Sequence, residues 1–142
     1  MGIIYFSLKE ANREIKRIRG DIERLTQLCE ELDLIDNTKI EFDEESIEHL
    51  MLEVELNKSF HEKNLELYSL IGKLIREGCI IRDIEKLEID FYSRLDDRDI
   101  MLCWKQGEDK ISHWHEVFDS VGKRKPVALL EKQYFKKLNE LK

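Results

Sequence analysis

Proline occurs once in this 142-residue chain and glycine six times. With so few helix breakers and turn formers, loops are few and the elements between them are long. Cysteine occurs three times, at Cys29, Cys79 and Cys103, with no close pairing. An odd, scattered set excludes a disulfide framework and a Cys-x-x-Cys site, and it fits thiols in a reducing cytoplasm. No apolar run approaches the ~18 residues of a membrane span. No basic region followed by a long apolar run opens the chain, so no signal peptide is expected. A Walker loop, Gly-x-Gly-x-x-Gly and Gly-x-Ser-x-Gly are missing, and with them the common nucleotide and serine-hydrolase sites. No Glu-x-x-His pair occurs, which argues against a di-iron carboxylate bundle.

Charge is abundant: 39% of residues are Asp, Glu, Lys or Arg, and the formal net charge is −7. Its placement is uneven. Between Glu30 and Glu62 twelve acids face two bases, whereas Ser120–Lys142 holds seven bases and two acids. The molecule is expected to have an acidic end and a basic tail. Both are first of all solvated surfaces; the functional alternative is that the acidic end meets a basic partner and the tail meets phosphate.

The first half of the chain organises the rest. Ser7 and Glu10 form a capping box, with Phe6 and Ala11 as a hydrophobic staple. Leu8, Ala11, Ile15, Ile18, Ile22, Leu25, Cys29 and Leu32 then repeat at steps of three and four, which predicts a helix with a narrow, coiled-coil-like seam. Asp36-Asn37-Thr38 is turn chemistry, and Asp43 or Ser46 can cap a second helix. That helix carries Ile47, Leu50, Met51, Val54, Phe60, Leu67, Leu70, Ile71, Leu74 and Ile75, with Gly78 at its C′ position. A short connection makes the two helices antiparallel neighbours. If opposed residues add to about 80 in number, Gly20 faces Phe60 and makes room for its ring.

Three strand candidates follow a short apolar run at Cys79-Ile80-Ile81: Glu88–Leu95, Asp99–Lys105 and Lys110–Val117. Asp96-Asp97 turns the first pair and Gln106-Gly107-Glu108-Asp109 the second. These turns place Phe91 opposite Leu102, Asp90 opposite Cys103, Leu102 opposite His113 and Cys103 opposite Ser112. One face then carries Ile89, Phe91, Ile100, Leu102, Trp104, Ile111, His113 and His115, and this more apolar face is expected to pack on the helices. Past Pro126, the apolar residues Val127, Leu130, Tyr134, Leu138 and Leu141 predict a C-terminal helix.

Few residues offer chemistry. His113 and His115, two apart on a strand, point to one side and could bind a divalent metal ion; a histidine hydrogen-bonded within a sheet is the commoner outcome. Asp90, Cys103, His115 and Glu116 are the candidate polar site. An acid beside a buried thiol raises the thiol pKa, which favours a structural cluster over a nucleophile. Lys123, Arg124, Lys125, Lys132, Lys136 and Lys137 are the candidate nucleic-acid contacts.

Four blocks carry a family resemblance: Ile89-Asp90-Phe91; Leu102-Cys103-Trp104-Lys105-Gln106-Gly107-Glu108; Trp114-His115-Glu116; and Arg124-Lys125-Pro126. With the opening Tyr5-Phe6-Ser7-Leu8-Lys9-Glu10-Ala11-Asn12, the chain resembles an uncharacterised prokaryotic family, domain of unknown function 2203. It departs from that pattern at Tyr92, where proline is expected, at Asp97, where the turn has glycine, and in the loop before Pro126. The resemblance implies kinship and fold and assigns no activity.

The expectation is therefore a single α+β domain over 1–142. It comprises a long antiparallel, coiled-coil-like two-helix hairpin (8–77), a small antiparallel β-meander at its base (79–117) and a C-terminal helix (126–142). The function expected first is a cytoplasmic, non-catalytic interaction or self-association module using the hairpin, with no cofactor. The alternatives are a small metal-dependent hydrolase centred on His115 and an RNA- or ribosome-associated factor using the basic tail.

Overall fold

A computed structural model describes residues 2–38, 46–117 and 124–128. The chain is α+β. Helices α1 (Leu8–Arg17), α2 (Arg19–Asn37) and α3 (Ile47–Arg76) are followed by strands β1 (Ile80–Asp83), β2 (Glu88–Leu95), β3 (Arg98–Lys105), β4 (His113–Glu116) and β5 (Lys125–Pro126). The strands form one antiparallel sheet in sequence order. No helix among the described residues is long and apolar enough to cross a membrane.

Two compact units result, one of Met1–Ile18 with Leu74–Lys142 and one of Arg19–Lys73. In the first, α1 begins with the expected capping box, the Ser7 hydroxyl accepting from the Glu10 N–H and the Glu10 carboxylate from the Ser7 N–H. Phe6 ties the segment before α1 to the sheet. Its N–H donates to the Tyr92 carbonyl at 2.7 Å, and its ring meets Phe91 edge-on at 5.0 Å. Residues 2–6 form no strand. Farther along α1, the Asn12 side chain accepts from the Ile111 N–H at 2.7 Å.

Gly78 ends α3 with a Schellman motif: the Cys79 N–H reaches the Leu74 carbonyl and the Gly78 N–H the Ile75 carbonyl. Glycine is required there twice over. Its φ is +101°, and a Cβ would lie 2.7 Å from Phe6 Cε1. At the β2–β3 turn, Asp96 and Asp97 both have positive φ (53° and 64°), the geometry of a two-residue type I′ hairpin.

In the second unit, α2 buries Ile22, Leu25, Leu28 and Leu32. Leu28 lies outside the expected seam, so the buried face is broader than a strict heptad. Three ion pairs join α2 to α3: Asp21–Lys73, Arg24–Glu66 and Glu31–Lys63. Their order is reversed along the two helices, and in each pair the residue numbers add to between 90 and 94, not 80. The expected Gly20–Phe60 contact is therefore wrong by about three turns of helix. A Cβ on Gly20 would meet nothing within 4 Å.

The apolar residues assigned to α3 divide by exposure, with Phe60, Leu70 and Ile71 half-buried. Leu67 and Leu74 are buried, whereas Ile47, Leu50, Met51, Val54 and Ile75 are exposed. At the C-terminal end, the expected helix over 126–142 gives way at its first residue, since Lys125–Pro126 pair with β4 as β5. Residues 129–142 lie outside the described part, as does Lys123.

Candidate functional site

The central strands are buried on both faces, and one face carries charge. The β2–β3 register is the expected one, with Asp90 opposite Cys103 and Phe91 opposite Leu102. The β3–β4 register is one residue off: Cys103 pairs with His113, Leu102 with Trp114 and Met101 with His115. The cause lies between the strands. The Glu108 side chain accepts from the Lys105 N–H and also bonds the Ser112 hydroxyl, while the Glu108 carbonyl accepts the Trp104 indole N–H. With the Ile111 N–H held by Asn12, 108–112 stay out of the ladder and β4 starts at His113. A one-residue slip exchanges the faces of a whole strand. His113 and His115 therefore join Asp90 and Cys103, and Trp114 moves to the apolar side.

Asp90 and His115 stand on β2 and β4, two strand spacings or roughly 10 Å apart in the backbone. Their side chains lean together over β3. His115 Nε2 lies 3.0 Å from Asp90 Oδ2, and His115 Nδ1 lies 2.8 Å from the Glu116 carbonyl. Asp90, Cys103 and His115 are 0%, 1% and 0% exposed, and each has a ligating atom within 4.8 Å of the others'.

Arg82, next after the short apolar run Cys79-Ile80-Ile81, completes the surroundings. The β1–β2 register jumps between Ile81 and Asp83, leaving Arg82 as a bulge. A bulge re-aims a side chain, and Arg82 Nε donates to Asp90 Oδ2 at 2.7 Å. Arg124 Nη2 approaches both the Cys103 carbonyl, at 3.4 Å, and Glu108 Oε1, at 3.3 Å. Asp90 Oδ1 has no hydrogen-bond partner although it is buried. The Cys103 thiol is pushed up to about 12, first by burial and then by the Asp90 charge, against a weaker pull from Arg124. At neutral pH it is a protonated thiol, a poor nucleophile.

The other candidates fall elsewhere. Glu116 contributes its carbonyl to the cluster, but its carboxylate pairs with Arg98 at 2.9 Å on the opposite face. There it lines a 420 Å³ depression with Asp97, Arg98, Asp99 and Val117, which none of Asp90, Cys103 and His115 reaches. His113 shares the face of His115, but its Nδ1 meets the Ser112 hydroxyl at 2.9 Å. Trp114 faces away from Asp90, opposite Leu102, and its buried indole N–H has no hydrogen-bond partner. Lys125 sits 4.8 Å from the centre of the Trp114 ring, and Arg124 is turned inward.

Fold and site together define a class: an α+β chain whose antiparallel sheet encloses an Asp–Cys–His cluster braced by two arginines. The chain belongs to the family of uncharacterized conserved proteins designated DUF2203, whose model matches residues 4–127. No curated protein and no solved structure matches it.

Proposed function

We propose that this protein is a cytoplasmic, non-catalytic self-association module that uses a long antiparallel hairpin of α2 and α3 as its arm. The observation that carries this reading is a second heptad seam on α3. Ile47, Met51, Val54, Lys58, His61, Leu65 and Tyr68 follow at steps of four and three, and their five apolar members are 56–76% exposed. A helix with one such seam is complete against one neighbour; a second, solvated seam calls for another helix. The ion pairs to α2 use Lys63, Glu66 and Lys73, none of which belongs to it.

The partner is a second copy, with the two α3 helices antiparallel. A parallel pair would stack the acid-rich starts of two α3 helices on each other. An antiparallel pair overlapped along the whole seam separates them and sets Ile47 of one copy opposite Tyr68 of the other. Ten apolar side chains at about 1.5 kcal/mol each can offset an association cost of order 4–15 kcal/mol. Three thiols with no disulfide among them suit a reducing compartment.

Light scattering on the full chain at tens of micromolar is the test. The expected mass is twice the 17.1 kDa of one chain, falling to one chain in the Met51→Glu/Leu65→Glu variant with its helical circular dichroism unchanged. A monomeric wild type, or a dimer indifferent to both glutamates, would overturn the proposal.

A further inference from the structure

The imidazole of His115 shows how it is used. A backbone carbonyl only accepts, so the 2.8 Å contact with the Glu116 carbonyl fixes the Nδ1 proton. The neutral ring then directs the Nε2 lone pair at Asp90 Oδ2, 3.0 Å away, and two acceptors at that distance need a positive charge between them. A proton supplies it in the simplest case. Nδ1–H on a backbone carbonyl with Nε2 turned inward is also how metal-bound histidines are oriented. Two further observations concern what else converges there. Asp90 Oδ1 is buried and unpartnered, although Oδ2 is engaged by Arg82 and His115. Cys103 Sγ completes an imidazole, carboxylate and thiol set lying within 4.8 Å.

We infer that Asp90, Cys103 and His115 form a binding site for a transition-metal dication of the zinc class, joining β2, β3 and β4. Nitrogen, oxygen and sulfur donors together select zinc over magnesium or calcium, which take oxygen. Ligands around zinc stand about 3.3–3.8 Å apart, from bonds of 2.0–2.3 Å in a tetrahedron, so closure needs side-chain shifts of about an ångström. Oδ1 of Asp90 is the carboxylate ligand, and Arg82 stays on Oδ2 as an outer partner.

Two arginines near a cation site call for a charge count. The Asp90 carboxylate and a Cys103 thiolate, its proton released to solvent, bring two negative charges to one dication, so the occupied site is neutral and adds no net charge beside Arg82. Arg124 is paired with Glu108. The three ligands come from three strands, so the ion would fasten β2, β3 and β4 together with a water in the fourth position, independent of the self-association proposed above.

Cobalt(II) titration of the full-length, metal-stripped protein tests the site. About one equivalent should bind, with a thiolate-to-cobalt charge-transfer band in the near ultraviolet and the visible bands of a tetrahedral ion. Cys103→Ser should abolish the charge-transfer band, and Cys29→Ser and Cys79→Ser should retain it. Wild-type protein that binds no cobalt, or binds it without a charge-transfer band, overturns the assignment whether or not any variant folds. So does a band that survives in Cys103→Ser. Zinc should also slow alkylation of Cys103 in the wild type, read by mass spectrometry; an unchanged rate counts against the site.

Discussion

The sheet and α3 solve opposite problems with the same kinds of residue. β2 and β3 bury both faces and enclose an acid, a thiol and an imidazole. α3 spends 30 residues to bury few large apolar side chains and leaves a second apolar stripe in water. The sheet hides its acid, thiol and imidazole, whereas α3 leaves apolar groups on display, the groups that the proposed second copy would cover. A stability measurement should therefore respond to changes in the sheet, and an association measurement to changes in α3.

The sharpest way to break that contrast is a pair of truncations. Phe91→Ala removes a fully buried ring that meets Phe6 and should lower unfolding stability by about 3–5 kcal/mol in urea titration. Leu65→Ala, at 69% exposure, should stay within about 0.5 kcal/mol at concentrations where the chain is monomeric. Equal costs would show that α3 carries more of the core than its exposure indicates. Gly78→Ala should come next, at roughly 2 kcal/mol or more, because a side chain there is strained in φ and collides with Phe6.

A gain is expected at the hairpin turn. Asp97→Gly relieves a positive φ of 64° and should raise stability by about 0.5–1 kcal/mol, visible as a higher Tm. The smallest effect belongs to the α2–α3 ion pairs. Lys63→Met removes the partner of Glu31 and should cost about 0–1 kcal/mol, less at high salt. A larger loss would mean that this pair fixes the helices more firmly than its half-exposed setting suggests.

Local chemistry was legible in the sequence where it acts within a few residues. Ser7 with Glu10, Gly78 and Asp96-Asp97 each dictate one cap or turn, and each sits where the spacing placed it. The β2–β3 register followed from its two-residue turn. The β3–β4 register did not, because it depends on Glu108 folding back on Lys105 and on Asn12 holding Ile111 from 99 positions away. That single residue of slip decided the site: it brought His115 to Asp90 and took Trp114 away. Arg82 was missed for a related reason, since a bulge leaves no mark in alternation. Its signal was an arginine beside two isoleucines, a charge too close to an apolar run to be a plain loop residue. On α3, apolar spacing alone could not tell the buried stripe from the exposed one, because both obey the same period.

The connection between β3 and β4 carries one more consequence, for how this chain can vary in length. Residues 106–112 lie outside the ladder, so side-chain alternation does not run through them, and the anchors that place His113 are the Glu108 bonds to Lys105 and Ser112 and the Asn12 bond to Ile111. An insertion that keeps those anchors would be absorbed in the connection. One that breaks them would free β4 to slip by a residue, sending the imidazole to the aromatic side and bringing an indole to the acid.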